Sequence, residues 1–314
     1  MPELPDLSLY VHALRSRVLG RALHGVRVAT PFLLRTVSPP LDSFTERAVA
    51  GIGLLGKRIV FSFDGDLHLV LHLMIAGRLH WKATGAALPG KNGLAAFDFA
   101  SGTLTLTEAG SKRRASLHAV EGAEALAAID PGGVDVLAID RDGFAAVLQR
   151  ERHTLKRALT DPRLFSGIGN AYSDEILHAA RLSPLRQTHQ LHDDEITRLH
   201  AATQQTLHLW VNRLQARAGD AFPERVTAFV DGMAAHGRYG QPCPACGTPI
   251  QRLVYAANQA NYCPTCQTDG TLLADRALSR LLRGDWPRSV EELESYKADR
   301  AGPAGPAARR DRRG

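Results

Sequence analysis

No apolar run in these 314 residues approaches the ~18 needed to span a bilayer, so no membrane-crossing helix is expected. The opening residues, "MPELPDLSLY", lack the basic segment and apolar core of a secretory signal, and a cytoplasmic protein that makes no use of a membrane is the expectation. Internal repeats are absent, which sets aside solenoids and propellers. Cysteine is missing everywhere outside residues 243–266, which argues against a disulfide framework. What is present in excess is positive charge. The formal net charge is +6 and the isoelectric point 9.3, which points to an anionic partner with nucleic acid first. Arg-rich chains are often mildly basic without such a partner, and part of this excess sits in the tail "AARRDRRG". The length suits two domains, or one with appendages.

The four cysteines form two pairs, "CPAC" (Cys243, Cys246) and "CPTC" (Cys263, Cys266), in the pattern C-x2-C-x16-C-x2-C. Two tight turns of this kind can present four thiolates tetrahedrally to one zinc ion. A four-thiolate site leaves the metal no open position, so it braces a β-hairpin and performs no chemistry.

Along the rest of the chain, Leu4, Leu7, Val11, Leu14 and Val18 recur at three- and four-residue steps before Gly20, predicting an amphipathic helix with a glycine stop. "RIVFSF-DG-DLHLVLHL" alternates about an Asp-Gly turn and predicts a β-hairpin; "AAFDF-ASG-TLTLT" repeats the device. The first ~120 residues therefore read as mainly antiparallel β. Residues 121–150 are a mixed connection with some helix, and 151 to about 218 are helical. A short helical segment with Trp286 precedes a Pro/Gly/Arg tail whose composition predicts disorder. "LFSGIGNAYSDEIL" places Gly167 and Gly169 just ahead of Asn170 and a helix. Such a turn can expose backbone N–H groups to a phosphate, with the Asn170 amide as a further donor. It can equally be a plain turn and helix cap.

Five features then occur in a fixed order: the opening "PELP", the lysine of "GKRIVF", the "HLMIAGRL" strand, "GIGNAYSDEIL" before a helix, and the four-cysteine finger. In this the chain resembles the bacterial formamidopyrimidine-DNA glycosylases, relatives of endonuclease VIII, over about residues 2–267. The resemblance implies an α+β architecture. It comprises an N-terminal antiparallel β-sandwich with flanking helices (2–120), a connection (121–150) and a helix–two-turn–helix DNA-binding domain (151–235). A β-hairpin zinc finger (236–270) and an extension (271–314) complete it. It also implies a monomeric, nucleoid-associated enzyme acting on double-stranded DNA that contains a damaged base or an abasic site.

The chemistry implied is base removal followed by strand nicking. With Met1 removed, Pro2 offers a secondary amine; α-amino groups titrate near pH 8, so an appreciable fraction is neutral, unlike a lysine. Attack on the sugar C1′ forms an iminium, the electron sink for β-elimination. By the resemblance Glu3 protonates the sugar oxygen, a role that requires a proton-bearing carboxyl. Lys57 matches a strand lysine that contacts the phosphate beside the lesion, although alone it reads as a surface lysine. Asp6 stands where relatives usually have glutamate, keeping the charge with a shorter reach. His72, Lys156 and Asn170 are expected at the DNA backbone, although His72 can simply cap the polar side of its hairpin.

The chain also departs from its relatives. Where they carry a methionine wedge in "HLGMSG", this chain has "HLMIAG", which puts Ile75 at the wedge and shifts Met74 by one. Their "DPRRFG" loop is replaced by "EAGSKRRASL", so Arg113 or Arg114 inherits the arginine role with no phenylalanine nearby. An arginine expected five residues before the third cysteine is Asn258, which can hydrogen-bond a phosphate but brings no charge. A non-catalytic binder of damaged or structured DNA, or a generic zinc-ribbon factor, are the competing readings. The first has no need of a free N-terminal amine, and the second leaves the first 120 residues without a purpose. Which base is removed is open: oxidised purines are the family default, with oxidised pyrimidines as the alternative.

Overall fold

The computed structural model describes residues 1–110, 112–227, 229–255, 258–274, 287–293 and 295. The first helix, α1 (Leu4–Val18), ends at Leu19 with Gly20 at φ +73°, the left-handed stop that its sequence predicts. Its expected apolar stripe is buried, but so are Pro5, Asp6, Leu9 and Tyr10, so the first half of α1 has no wet face. The reason is that it lies between two cores. Leu4 belongs to the core of the helical half, while Leu7, Tyr10, Val11, Leu14 and Val18 belong to that of the sheet.

Eight strands follow: β1 (Ala22–Val28), β2 (Arg47–Leu55), β3 (Arg58–Phe63), β4 (Leu67–His72), β5 (Gly77–Lys82), β6 (Gly93–Phe99), β7 (Gly102–Glu108) and β8 (Ser116–Glu121). They form one antiparallel sheet in the order β5-β7-β6-β1-β2-β3-β4-β8. Strands β1 and β2 pair only at Ala22–Ala48 and Leu23–Arg47, and register shifts at Leu23/Gly25 and Val49/Gly51 bend the sheet there. The two halves thus face one another over a shared core, with the rings of Phe61 and Phe97 stacked at 6.3 Å. The expected sandwich is this single folded sheet. Its turns differ slightly from expectation. The β3–β4 turn takes in Asp66 as well as Asp64 and Gly65, with positive φ at Gly65 and Asp66, and the β6–β7 turn is only Ala100–Ser101.

Helices α2 (Ala123–Ala127) and α3 (Arg141–Leu148) lie in the connection. The helical half is α4 (Leu155–Thr160), α5 (Asn170–Ala180) and the 26-residue α6 (Asp193–Ala218). Its core contains Phe144 against Phe165 and Tyr172 edge-on to Trp210. Strands β9 (Gln251–Tyr255) and β10 (Asn258–Tyr262) make the C-terminal hairpin, followed by α7 (Pro264–Thr268). The Leu272 N–H donates to the Arg288 carbonyl, which returns the extension toward the hairpin. The helical segment expected around Trp286, and the tail, lie outside the described residues. Among the described residues no helix is long and apolar enough to cross a membrane.

Candidate active site and DNA interface

Glu3 caps α1, and its carboxylate reaches 166 residues along the chain to the start of α5. It accepts the Gly169 N–H at 2.6 Å, the Ala171 N–H at 2.8 Å and the Tyr172 N–H at 3.1 Å. These are helix-terminal donors that lack intrahelical partners, at the positive end of the helix. The glycines of "GIG" serve this meeting. A Cβ at Gly169 would lie 2.5 Å from Glu3 Cδ, and one at Gly167, where φ is +80°, would strike Leu4 at 2.7 Å. Leu4 N–H also donates to the Gly167 carbonyl at 2.9 Å. Three of the N–H donors at this turn thus serve an internal carboxylate. Asn170 is the first residue of α5 and half-buried, with Gly169 as the cap.

Asp6 accepts the Glu3 N–H at 2.9 Å and is 1% exposed. Burial raises its pKa to about 7, with the Glu3 charge pushing the same way and the Glu3 N–H bond opposing. The buried Tyr172 hydroxyl has no partner among the described residues. Burial, with Asp6, Glu3 and Glu175 adding to it, drives that phenol's pKa well up. The amino group at the chain's start shares this environment. Burial depresses its pKa, Arg78 and Lys57 add to the effect, and Glu3 and Asp6 oppose it. Pro2 is buried. Lys57 occupies the two-residue turn between β2 and β3, not a strand. It is half-buried, and burial lowers its pKa against the pull of Glu3, with Lys156 lowering it further.

Lys156 corrects another expectation. The residue is 4% exposed, and its ammonium donates to Asp174 Oδ1 at 2.5 Å and to the Asn170 carbonyl at 2.6 Å. Its charge is neutralised inside the protein. Asp174 also accepts from His236 Nδ1 at 2.8 Å and from the Asn261 amide of β10 at 3.0 Å. Glu175 receives the N–H groups of Ala234, Ala235 and His236 at 2.7–2.9 Å. Helix α5 therefore holds the amino terminus at one end and the finger along its side.

His72 ends β4, paired with Ser116, half-buried and with no side-chain hydrogen bond among the described residues. Its pKa falls to about 4, chiefly through burial and then through Arg58, Lys57 and His118. Beyond it the chain turns through Met74, at φ +52°, to Ile75 at the tip, 64% exposed. Arg78 Nη1 donates to the Ile75 and Gly77 carbonyls at 3.1 and 2.7 Å and braces this tip. Arg113 and Arg114 are exposed on the neighbouring loop, where the Arg113 guanidinium donates to the Lys91 carbonyl. That loop hangs from Glu108, 2% exposed, whose carboxylate accepts the Arg114 and Ala115 N–H groups at 2.9–3.0 Å. Glu108 pairs with Gly77 across β5–β7, which sets the two loops side by side. Glu108, Tyr172, Asp174, Glu175 and Asn261 escaped the sequence reading. Only the run "AYSDEIL", which holds Tyr172, Asp174 and Glu175 and is too polar for an ordinary core helix, could have signalled three of them.

The sulfur atoms of Cys243, Cys246, Cys263 and Cys266 lie within 4.8 Å of one another. The Cys243–Cys266 and Cys246–Cys263 separations, 3.9 and 3.4 Å, bracket the about 3.8 Å that four thiolates around one tetrahedral zinc would adopt. The four residues fit one structural zinc, which would tie the turn at 243–246 to the start of α7. Asn258 opens β10; its side chain lies outside the described residues.

Three family models match the chain in order. They are the formamidopyrimidine-DNA glycosylase N-terminal domain over residues 1–115, the H2TH domain of the same enzymes over 133–218, and a zinc finger found in these enzymes and isoleucyl-tRNA synthetase over 240–268. The formamidopyrimidine-DNA glycosylase of Thermus thermophilus is 31% identical over 279 residues, covering 86% of this chain and 100% of that one. A formamidopyrimidine-DNA glycosylase-like protein of Mycobacterium tuberculosis is 38% identical over 151 residues, 48% of this chain and 94% of that one. The Lactococcus lactis enzyme bound to DNA with an abasic site shares the fold, with a TM-score of 0.75 at 23% identity over 85% of this chain and 99% of that one. An amino terminus packed on a glycine turn, a four-thiolate finger and a full-length relative converge on one assignment: the chain belongs to the formamidopyrimidine-DNA glycosylase family.

Proposed function

We propose that this chain excises damaged, oxidised bases from double-stranded DNA and nicks the strand at the abasic site it creates. The observation that carries the reading is the convergence of the amino terminus, Glu3, Asp6 and Lys57 at the start of α5. Loss of Met1 would leave Pro2 as a secondary amine in surroundings that favour its neutral form. Its lone pair attacks C1′, the bond from C1′ to the base breaks, and the base takes up a proton as it leaves. Protonation of the ring oxygen opens the sugar and yields an iminium. Loss of a C2′ proton then sends electrons into the iminium and breaks the bond from C3′ to its phosphate.

The three N–H donors around Glu3 hold its carboxyl as an acceptor beside the forming cation. Asp6 retains a proton up to about pH 7 one helical turn away. In this reading Glu3 orients and relays, and Asp6 is the local proton store. Lys57 faces the departing phosphate, and Ile75 fills the space of the rotated nucleotide, whose extrusion costs a few kcal/mol.

The test is gel analysis of duplexes carrying an oxidised purine, an oxidised pyrimidine or an abasic site. Base release with a product that stops at β-elimination is expected, because Asn258 lacks the charge of the arginine it replaces. A dominant β,δ product would contradict that part of the reading. Binding without base release from any duplex would favour a non-catalytic sensor.

A further inference from the structure

Four side chains on neighbouring strands lie outside the machinery described so far or only at its margin. Pairing of Ile59 with Leu71 brings Arg58 of β3 opposite His72 of β4. His118 of β8 pairs with Val70, two residues from His72, and so is its diagonal neighbour on the same face. The free edge of β8 is covered by residues 34–36. Arg35 N–H donates to the Leu117 carbonyl at 2.9 Å, and Thr36 Oγ1 bonds both the carbonyl and the N–H of Ala119 at 2.8 and 2.7 Å. Arg35 is thereby held beside His118, with its side chain exposed.

Among the described residues none of these four side chains makes a hydrogen bond or an ion pair, and Arg58 Nε is buried without a partner. Asp130 is the one carboxylate felt at Arg58, and it forms no ion pair with it among the described residues. Burial first, then Arg58 and Arg35, hold the His118 pKa below the usual imidazole value. The rings of His118 and His72 thus keep neutral N–H donors beside fixed guanidinium charges. Two unpaired guanidinium groups, Arg58 on β3 and Arg35 along the outer edge of β8, thus flank two neutral imidazole donors, an arrangement suited to an anionic chain lying across the strands.

We propose that Arg35, Arg58 and His118 extend the backbone contact expected of His72 into a phosphodiester-binding strip that carries the DNA backbone from Lys57 outward across β3, β4 and β8. The strip begins at the Lys57 turn and passes the base of the Arg113–Arg114 loop, so the three basic features make one continuous track. The inference rests on the DNA-repair reading above, and its contacts lie on the backbone, which carries no sequence information.

The test is fluorescence anisotropy of the full-length protein on an undamaged duplex and on one with a stable abasic analogue, from low to high salt. Arg35→Gln and His118→Asn are the variants, with Arg35→Lys as the charge-preserving control; Arg35 is exposed, so its substitutions leave the core intact. Arg35→Gln is expected to weaken both duplexes by the same factor and to lower the slope of log affinity against log salt by about one. Arg35→Lys should restore the slope. Unchanged affinity and slope in both variants would overturn the strip. So would thermal stabilisation by inorganic phosphate that vanishes in the variants while DNA affinity stays, since that would mark a free-phosphate site. If the unaltered protein bound neither duplex, the DNA-repair reading itself would fail, an outcome distinct from failure of the strip.

Discussion

Glu3 and Asp6 share the first turn of α1, yet Glu3 meets three amide donors while Asp6 meets one and is cut off from water. The consequence for Asp6 is measurable. Folding raises its pKa from an ordinary carboxylate value to about 7, so the unfolded chain releases this proton first as pH rises. Its effect on stability is nil at low pH and grows unfavourable between about pH 4 and pH 7. The full cost is at most about 4 kcal/mol. Asp6→Asn removes the charge and keeps an acceptor for the Glu3 N–H. Denaturant unfolding should find the variant stabilised relative to the parent at pH 8 and nearly equal to it at pH 4. Equal stability at both pH values would mean that burial does not hold that proton. At this scale the sequence was partly legible: Pro2 and Glu3 stand out by position and kind, and Lys57 only by the resemblance. The donors that surround Glu3 do not, because they are backbone groups brought in from residues 169–172.

At the scale of elements, α5 joins distant chemistry. Its N-terminus receives Glu3, Asp174 and Glu175 on its flank receive the 234–236 loop and Asn261, and His178 Nε2 lies 3.2 Å from Cys243 Sγ. Gly169→Ala tests the first of these links, because the added carbon would occupy the place of the Glu3 carboxyl. The expected result is a roughly hundredfold slower nicking of abasic duplex, since misplacing a catalytic group by about 1 Å costs that much. A variant with the parent rate would mean that α5 does not position Glu3. Local pattern foretold the helix and both hairpins, where apolar spacing and turn residues act within a few positions. It placed "SDE" on a helix but gave no sign of what those side chains hold, because the N–H groups that bury Glu175 come from 59 to 61 residues further on. Glu108 was silent for a similar reason: a carboxylate at a strand's end gives no sign that it will anchor the next loop.

Across the whole molecule, α1 serves two cores, and the chain after α6 closes over the sheet. Phe222 packs on Tyr10 and Trp81, Val226 enters the sheet's core, and Glu224 bonds His80 at 2.5 Å. The amino terminus therefore sits where the sheet, the helices and, through α5, the finger meet. The order of the five motifs was enough to reveal the architecture, whereas this convergence required the fold. The most direct measurement is borohydride reduction of the mature protein with an abasic duplex, followed by mass mapping of the linked residue. The account expects a covalent adduct on Pro2, lost in Pro2→Gly and when Met1 is retained. An adduct on a lysine such as Lys57, or none on any duplex the protein binds, would contradict it.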